Sequence, residues 1–364
     1  MKSTEPNTPF NLAEFEPLAQ RALPKAVYDH LAGGSDDEWT LRENLMAYQR
    51  IQLIPRVLRD VTQCDPSITI LGQKLAMPVI LAPVACHCLF HPEGEFAVAR
   101  AAAEAGLVFT VSTGASYSLE EVAQSCEGPR WFQLYAYQDR EITRGLVERA
   151  EAAGYQAICL TVDSPVSGRR ERDLRNRFIR PKQFLYKTLV DVGFKNLSPS
   201  LNEEQLLAFA GKALSVALTW DYLSWLRSLT RLPFVLKGIL SKADALQAVS
   251  SGVEGIVVSN HGGRQLDGTP APIEVLEDIA EAAAGSAEIL VDSGIRRGTD
   301  ILKALALGAR AVLVGRPYIW GLAVNGAVGV KQVLDLLREE FMIAMGLAGC
   351  VTVNEINREL IFRP

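Results

Sequence analysis

Residues Gly255-Ile256-Val257-Val258 run directly into Ser259-Asn260-His261-Gly262-Gly263-Arg264-Gln265-Leu266-Asp267. The first four form a short apolar, β-branched segment bounded by glycine, the composition of a buried parallel strand rather than of a helix. Polar residues begin where that strand ends. A histidine three residues from an arginine, with two glycines between them, puts a proton acceptor and a carboxylate-binding fork on one tight turn. The glycines let the backbone approach a flat ligand closely. The same nine residues also read as a surface turn in which His261 caps a neighbour and Arg264 is solvated. The rest of the chain decides between the two.

Working outward, short apolar runs alternate with helical patterns. Val79 to Ala82 precedes Glu93 to Ala105, Val108 to Ser112 precedes Leu119 to Cys126, and Trp131 to Leu134 precedes Glu141 to Ala153. Ala157 to Val162 is followed, after a long excursion, by Trp220 to Leu229, and Phe234 to Lys237 by Lys242 to Ser250. Gly255 to Val258 leads to Ile273 to Ala284, Ile289 to Asp292 to Thr299 to Leu307, and Ala311 to Val314 to Val330 to Ala344. Eight such units in 364 residues predict an α/β fold, a (β/α)8 TIM barrel, rather than an open doubly wound sheet. One domain, 1–364, is expected. Its N-terminal extension, 1–74, comprises helices at Leu12 to Ala22 (capped by Asn11), Lys25 to Leu31 and Glu38 to Tyr48, then a hairpin turning at Gly72-Gln73. The segment 164–219 is too long for an ordinary βα loop and is expected to cover the barrel mouth as a lid. Its apolar piece Leu206 to Leu218 reads as an amphipathic lid helix rather than a membrane patch, having few basic neighbours.

In a barrel, chemistry gathers at strand C-termini. Gln133 and Tyr135 fall after the third strand, Thr161 and Asp163 after the fourth, and Lys237 at the fifth. His261 and Arg264 follow the sixth, Asp292 the seventh, and Gly315-Arg316 the eighth. Surface polar residues have no reason to collect at one end of so many consecutive apolar runs, so a functional barrel mouth is expected. Loops after strands seven and eight commonly hold a phosphate. Ser293-Gly294-Ile295-Arg296-Arg297-Gly298 and Val314-Gly315-Arg316-Pro317 suit that role through free backbone N–H groups and guanidinium charge, or are ordinary turns with solvated arginines. No Gly-x-Gly-x-x-Gly opens a helix after a strand with an acid downstream, which favours a phosphate-bearing flavin over a nicotinamide dinucleotide.

Composition sets outer bounds. The chain is 48% hydrophobic and 22% charged with net charge -5 and pI near 5.6, and no basic stripe offers a nucleic-acid surface. The polar N-terminus and the lack of a run near 20 apolar residues predict no membrane association and a cytoplasmic protein. The six cysteines, mostly within apolar runs, are expected to be thiols in a reducing compartment. Cys86-His87-Cys88, with His91 nearby, is the one metal-like cluster. Adjacent side chains on an extended segment point to opposite faces, and no second cluster completes four ligands, so no metal is expected.

The stretch that opens this section resembles, nearly letter for letter, the active-site pattern of the FMN-dependent 2-hydroxy acid oxidases and dehydrogenases, among them glycolate, lactate and hydroxymandelate oxidases. The resemblance extends from Leu12 to Ile361 through His91-Pro92-Glu93-Gly94-Glu95, Phe132-Gln133-Leu134-Tyr135, Leu160-Thr161-Val162-Asp163-Ser164-Pro165, Gly168-Arg169-Arg170, Leu236-Lys237-Gly238, Asp292-Ser293-Gly294-Ile295-Arg296-Arg297-Gly298-Thr299-Asp300 and Gly315-Arg316-Pro317, in the family's order. It implies FMN as cofactor and oxidation of an (S)-2-hydroxy acid to the 2-oxo acid. His261 would take the substrate proton while hydride equivalents pass to flavin N5, and Asp163 would hold and stabilise the protonated histidine. Arg264 and Arg170 match the pair that binds the substrate carboxylate, and Tyr135 the tyrosine beside the substrate oxygen. Lys237 matches the lysine near flavin N1 and the C2 carbonyl, where its charge favours the anionic reduced flavin. A Schiff-base role for Lys237 is the alternative, but it leaves His261 and Arg264 without a purpose. Val84 and Ala85 would approach the flavin by backbone, and Ser112, Gln133 and Thr161 by side chain. Ser259, Asp292, Ser293, Gly294, Arg296, Gly315 and Arg316 would hold its tail and phosphate.

Two departures bear on the substrate. His30 stands where the oxidases usually place a tyrosine touching the substrate carboxylate, and Gly114 where glycolate oxidases have a tryptophan. His30 is expected to offer an N–H to the carboxylate, and Gly114 to leave room for lactate or a larger or aryl side chain. Oxygen is the expected electron acceptor, giving H2O2. A quinone- or protein-linked dehydrogenase and a flavin-binding barrel without turnover are the rivals. The family further implies a homo-oligomer, a tetramer or octamer.

Overall fold

The computed structural model describes residues 9–179 and 218–362. A 3-10 turn at Leu12–Glu14, capped by the Asn11 side chain, leads into α1 (Phe15–Ala22), α2 (Lys25–Ala32) and α3 (Trp39–Arg50). Pro24 precedes α2, and Gly33 follows it. No local side chain caps α3. Instead Asp267 accepts from the Trp39 and Thr40 N–H groups at 3.1 and 2.7 Å, so the last residue of the opening stretch serves as a long-range helix cap.

β1 (Ile68–Ile70) and β2 (Gln73–Leu75) form the antiparallel hairpin. Its turn is Leu71-Gly72 rather than Gly72-Gln73, because those two residues hold the positive φ values, 44° and 76°, that a tight two-residue turn requires. Gln73 is left to pair with Ile70.

The barrel strands are β3 (Val79–Leu81), β4 (Val108–Ser112), β5 (Arg130–Leu134), β6 (Ile158–Thr161), β7 (Phe234–Ile239), β8 (Gly255–Val258), β9 (Glu288–Val291) and β10 (Ala311–Val314). All are parallel and hydrogen-bonded in sequence order, and β10 returns to β3 with Val312 opposite Val79, which closes a (β/α)8 barrel. Helices cover the outside while side chains fill the inside, so both faces of each strand are buried. Continuous apolar runs rather than alternation follow. Between the strands lie α4 (Gly94–Glu104), α5 (Leu119–Ser125) and α6 (Arg140–Ala152). After β6 come α7 (Glu171–Asn176) and, beyond the undescribed residues, α8 (Trp220–Arg227). α9 (Lys242–Ser250), α10 (Pro272–Ala283) and α11 (Gly298–Ala306) complete the ring. Ser118, Asp139, Thr219 and Ser241 cap α5, α6, α8 and α9 through side-chain oxygens.

The closing helix α12 (Arg316–Ala348) begins well before the expected Val330 and leaves helical geometry at Asn325 and Gly326, so it is two helices end to end. Pro317 and the Asn-Gly pair suggest a break in the sequence, yet proline at the first turn is compatible with a helix start. Of the expected lid, α7 packs on α2: Asn176 Nδ2 donates to Asp29, and Arg172 to Glu38. The Leu206 to Leu218 piece, Leu218 apart, lies outside the described residues. Among the described residues no helix is long and apolar enough to cross a membrane.

Candidate active site

A cleft of about 1100 Å³, counting its open mouth, sits at the C-terminal ends of the barrel strands. Val84, Ala85, Ser112, Gln133, Tyr135 and Thr161 line one part of it, with Arg170, Lys237, His261, Arg264 and His30 across from them. Asp292, Ser293, Gly294, Arg296, Gly315 and Arg316 line the rest. The barrel thus brings together residues that are far apart in sequence. Asp163 and Ser259 stand behind this lining, each bonded to a residue within it.

His261 sits in left-handed backbone geometry, φ 60°, on the turn after β8. Its Nδ1 is 2.9 Å from Asp163 Oδ1, and its backbone N–H donates to Ser259 Oγ. The carboxylate fixes the tautomer: Nδ1 carries a proton directed at Asp163, and Nε2 holds the lone pair. Burial tends to raise the Asp163 carboxyl, but the His261 imidazole and the Lys237 ammonium outweigh it and hold the group below its ordinary value. Asp163 therefore remains an anion facing the base.

Lys237 Nζ donates to Ser259 Oγ and pairs with Asp292 Oδ2, both at 2.9 Å. Burial opposes its charge, yet the Asp292 and Asp163 carboxylates hold the ammonium above the ordinary lysine value. Such a lysine is a fixed cation and not an amine nucleophile, which disfavours a Schiff base. β7 bulges at Gly238, φ 118°, where an added Cβ would lie 2.6 Å from the Asp163 Cβ. The glycine after the lysine is what admits the aspartate beside it. Across the next strands Ser112 Oγ donates to Gln133 Oε1, and Gln133 Nε2 to Thr161 Oγ1, a polar row along the cleft.

The two substrate departures fall out differently. His30 lines the cleft, its Nδ1 2.9 Å from Asp173 Oδ2 and its ring stacked on Phe178 at 4.3 Å, so an acid of α7 holds one of its two ring nitrogens. Gly114 is buried and is not among the residues lining the cleft. Its carbonyl accepts from the Cys86 N–H and thiol, and Phe90 stands in the cleft wall. Cys86 and Cys88 direct their thiols to the Gly114 and Pro92 carbonyls, while the His87 ring is buried.

Residues 19–363 match the family of FMN-dependent dehydrogenases. The chain belongs to that family. It is 50% identical over 359 residues to the L-lactate oxidase of Nostoc sp., covering 98% of each chain. It is 46% identical over 351 residues to the glycolate oxidase of Spinacia oleracea, covering 96% of this chain and 95% of that one. A solved structure of mandelate oxidase superposes with a TM-score of 0.89 at 48% identity, over 97% of this chain and 98% of that one.

The FMN-dependent dehydrogenase family implies a bound flavin phosphate, and the residues present fit one. Arg296 and Arg316 are part-buried, and among the described residues neither has a carboxylate in contact, although Glu16 and Asp300 act on Arg296, and Glu16 and Glu38 on Arg316, from further away. Arg316 donates to the Leu31, Gly33 and Gly262 carbonyls, and Arg296 lies over the Trp320 ring at 5.0 Å. Burial, with Arg296 alongside, pushes the Arg316 guanidinium down to about 10. Two part-buried guanidiniums in the cleft wall, with no carboxylate in contact, suit an anion such as a phosphate. Ser293 occupies left-handed geometry, φ 71°, which costs a non-glycine residue roughly 1 kcal/mol. Its hydroxyl donates to Asp292 Oδ1 and accepts from the Gly262 N–H, which ties the turns after β8 and β9 together.

Three contributors escaped the sequence. Gln265 Nε2 donates to the Asp163 and Val166 carbonyls, and its Oε1 accepts from Gly168 N–H, so it pins the chain that leaves β6 to the His261 turn. Its place in the opening stretch was the available signal. The C-terminal carbonyls of α2 are the second: His30 and Gly33 accept from Arg264 Nη1. Asp173 is the third, 143 residues from His30 and without a local motif.

Proposed function

We propose that this family member is an FMN-dependent (S)-2-hydroxy acid oxidase acting on lactate or a larger or aryl 2-hydroxy acid. The observation that carries the proposal is the His261–Asp163 pair set in one cleft with Arg170 and Arg264. A base beside two guanidiniums suits a substrate that bears a carboxylate next to the carbon to be oxidised. Arg264 and Arg170 bind the carboxylate, Tyr135 stands beside the substrate oxygen, and His261 Nε2 takes the proton. Asp163 stabilises the imidazolium that results. Bound FMN would supply the two-electron acceptor, with molecular oxygen as the final acceptor and H2O2 as its product. Val84 and Ala85 would face it by backbone, Ser112, Gln133 and Thr161 would bond its ring edge, and Lys237, held by Ser259 and Asp292, would keep a positive charge beside it. Ser293, Gly294, Arg296, Gly315 and Arg316 would hold its tail and phosphate.

The names of the relatives, lactate and mandelate oxidase among them, support substrates beyond glycolate. Phe90 and Leu31 offer apolar wall to a substrate side chain, worth roughly 0.8 kcal/mol per buried CH₂. Higher kcat/KM for lactate or mandelate than for glycolate is expected, and glycolate as the best substrate would overturn that specificity. Stopped-flow mixing of the reduced enzyme with oxygen separates oxidase from dehydrogenase: slow reoxidation by oxygen and fast reoxidation by a quinone would favour the latter. A cytoplasmic homo-oligomer completes the proposal. Val57, Leu58 and Leu347 are 77%, 102% and 73% exposed, and the Arg56 N–H donates to the Ala348 carbonyl, so these side chains share one region. Light scattering that finds a monomer would remove the oligomer.

A further inference from the structure

Beneath the loop Ala82 to Ala85, which lines the cleft, lies a buried acid and imidazole that none of the proposed chemistry uses. His87 and Glu95 are each 0% exposed. Glu95, in the first turn of α4, accepts at Oε1 from the His87 N–H at 3.1 Å and the Ser116 N–H at 2.8 Å. One oxygen therefore joins the loop after β3 to the loop after β4. The His87 ring stacks on Phe109, and its Nε2 is 3.3 Å from Tyr318 Oη, whose own hydroxyl donates to the Ala82 carbonyl at 2.7 Å.

Hydrogen counting constrains this network. The Tyr318 proton is spent on Ala82, so Tyr318 Oη accepts and His87 Nε2 carries the hydrogen. Nδ1 is then an acceptor. It has no hydrogen-bond partner, and neither has Glu95 Oε2. Nδ1 is 3.9 Å from Glu95 Oε1. That is too long for a hydrogen bond. An ionised carboxylate would leave Oε2 a buried charged oxygen with no donor, whereas a carboxylic acid carries its own hydrogen. Among the described residues no Arg or Lys pairs with Glu95, and the titratable groups facing it are His87, Cys88, Tyr117, Tyr155 and Tyr318.

We propose that Glu95 is a neutral carboxylic acid at neutral pH, and that, together with His87 and Tyr318, it is a positioning device for the Ala82 to Ala85 backbone against the flavin. Burial acts the same way on both partners, raising the Glu95 carboxyl and pushing the imidazole down to about 3. The positioning half of the inference rests on the proposed flavin site; the protonation half does not.

Glu95→Gln separates the possibilities, because an amide keeps an oxygen for the two N–H donors and is neutral, as the acid is. The infrared spectrum of the purified parent at pH 7 should contain a protonated-carboxyl band that is lost in Glu95→Gln, and Glu95→Gln should retain the parent flavin absorption spectrum. Glu95→Leu orphans the His87 and Ser116 N–H groups. It should shift the flavin spectrum and raise the FMN dissociation constant by roughly tenfold or more. If Glu95→Leu does not fold, His87→Phe, which keeps the stacking and removes both nitrogens, takes its place with the same expected spectral shift. No lost band, or a Glu95→Gln flavin spectrum displaced from that of the parent, would overturn the protonation half. A parent-like spectrum and FMN affinity in the Leu or Phe variant would overturn the positioning half. A parent that binds no FMN would defeat the proposed function while leaving the infrared test in place.

Discussion

Replacing His261 by Gln removes the one lone pair aimed at the substrate proton while leaving the contacts proposed for the flavin. The variant should retain FMN yet reduce about 10²-fold or more slowly in anaerobic stopped flow, and reduction at the parent rate would end its assignment as the base. Arg264→Lys keeps a charge but loses the planar fork, and the carbonyls of His30 and Gly33 that receive Arg264 Nη1 lose a donor in matching geometry. Both substrate affinity and the reduction rate should fall; identical kinetics would take Arg264 out of the site. Arg316→Ala should lower the flavin-to-protein ratio of the purified enzyme, because one of the two guanidiniums proposed to hold the phosphate is gone. At this scale the sequence exposed the residues whose chemistry is local to a strand end, such as His261 and Lys237. It left hidden what a distant partner does to them, as with Asp173, which meets one ring nitrogen of His30.

The bulge at Gly238 belongs to the scale of the element. Gly238→Ala sets a Cβ 2.6 Å from the Asp163 Cβ at φ 118°, so strand β7 must shift or Asp163 must move from His261. Gly268→Ala is the control: its φ is also positive, 88°, but nothing lies within 4 Å of the added carbon. Both variants should lose about 1 kcal/mol to backbone strain, and Gly238→Ala alone should also slow flavin reduction. Equal reduction rates in the two would mean that the bulge does not position Asp163. The barrel strands were legible in the sequence to within a residue or two because each is an apolar run buried on both faces and stopped by a polar residue at the mouth. The hairpin turn was misplaced by one residue because nothing in a leucine announces the left-handed φ of Leu71. The first half of α12 was missed because Pro317 and Asn325-Gly326 are residues of break-forming type, although Pro317 starts the first helix and Asn325-Gly326 separate it from the second.

Across the whole molecule, the opening stretch ties three regions together: His261 to the barrel, Gln265 to the chain that leaves β6, and Asp267 to α3 of the N-terminal extension. Stability should record the buried pair beneath the flavin loop. His87 is held down to about 3 by burial, whereas an unfolded histidine titrates at 6.5. Between those values the unfolded chain binds the extra proton, so the contribution of His87 is present above pH 6.5 and is lost as pH falls towards 3. Thermal melts of His87→Phe should show a shallower loss over that window than the parent, and parallel curves would contradict a neutral buried imidazole. The central claim, that this cleft oxidises 2-hydroxy acids with His261 as base, is met most directly by one measurement. The flavin absorbance of the parent and of His261→Gln is followed anaerobically while lactate, mandelate and glycolate are added in turn. Rapid bleaching of the parent by lactate or mandelate, with far slower bleaching of His261→Gln, is the result expected; a parent whose flavin is bleached by none of them would contradict the claim.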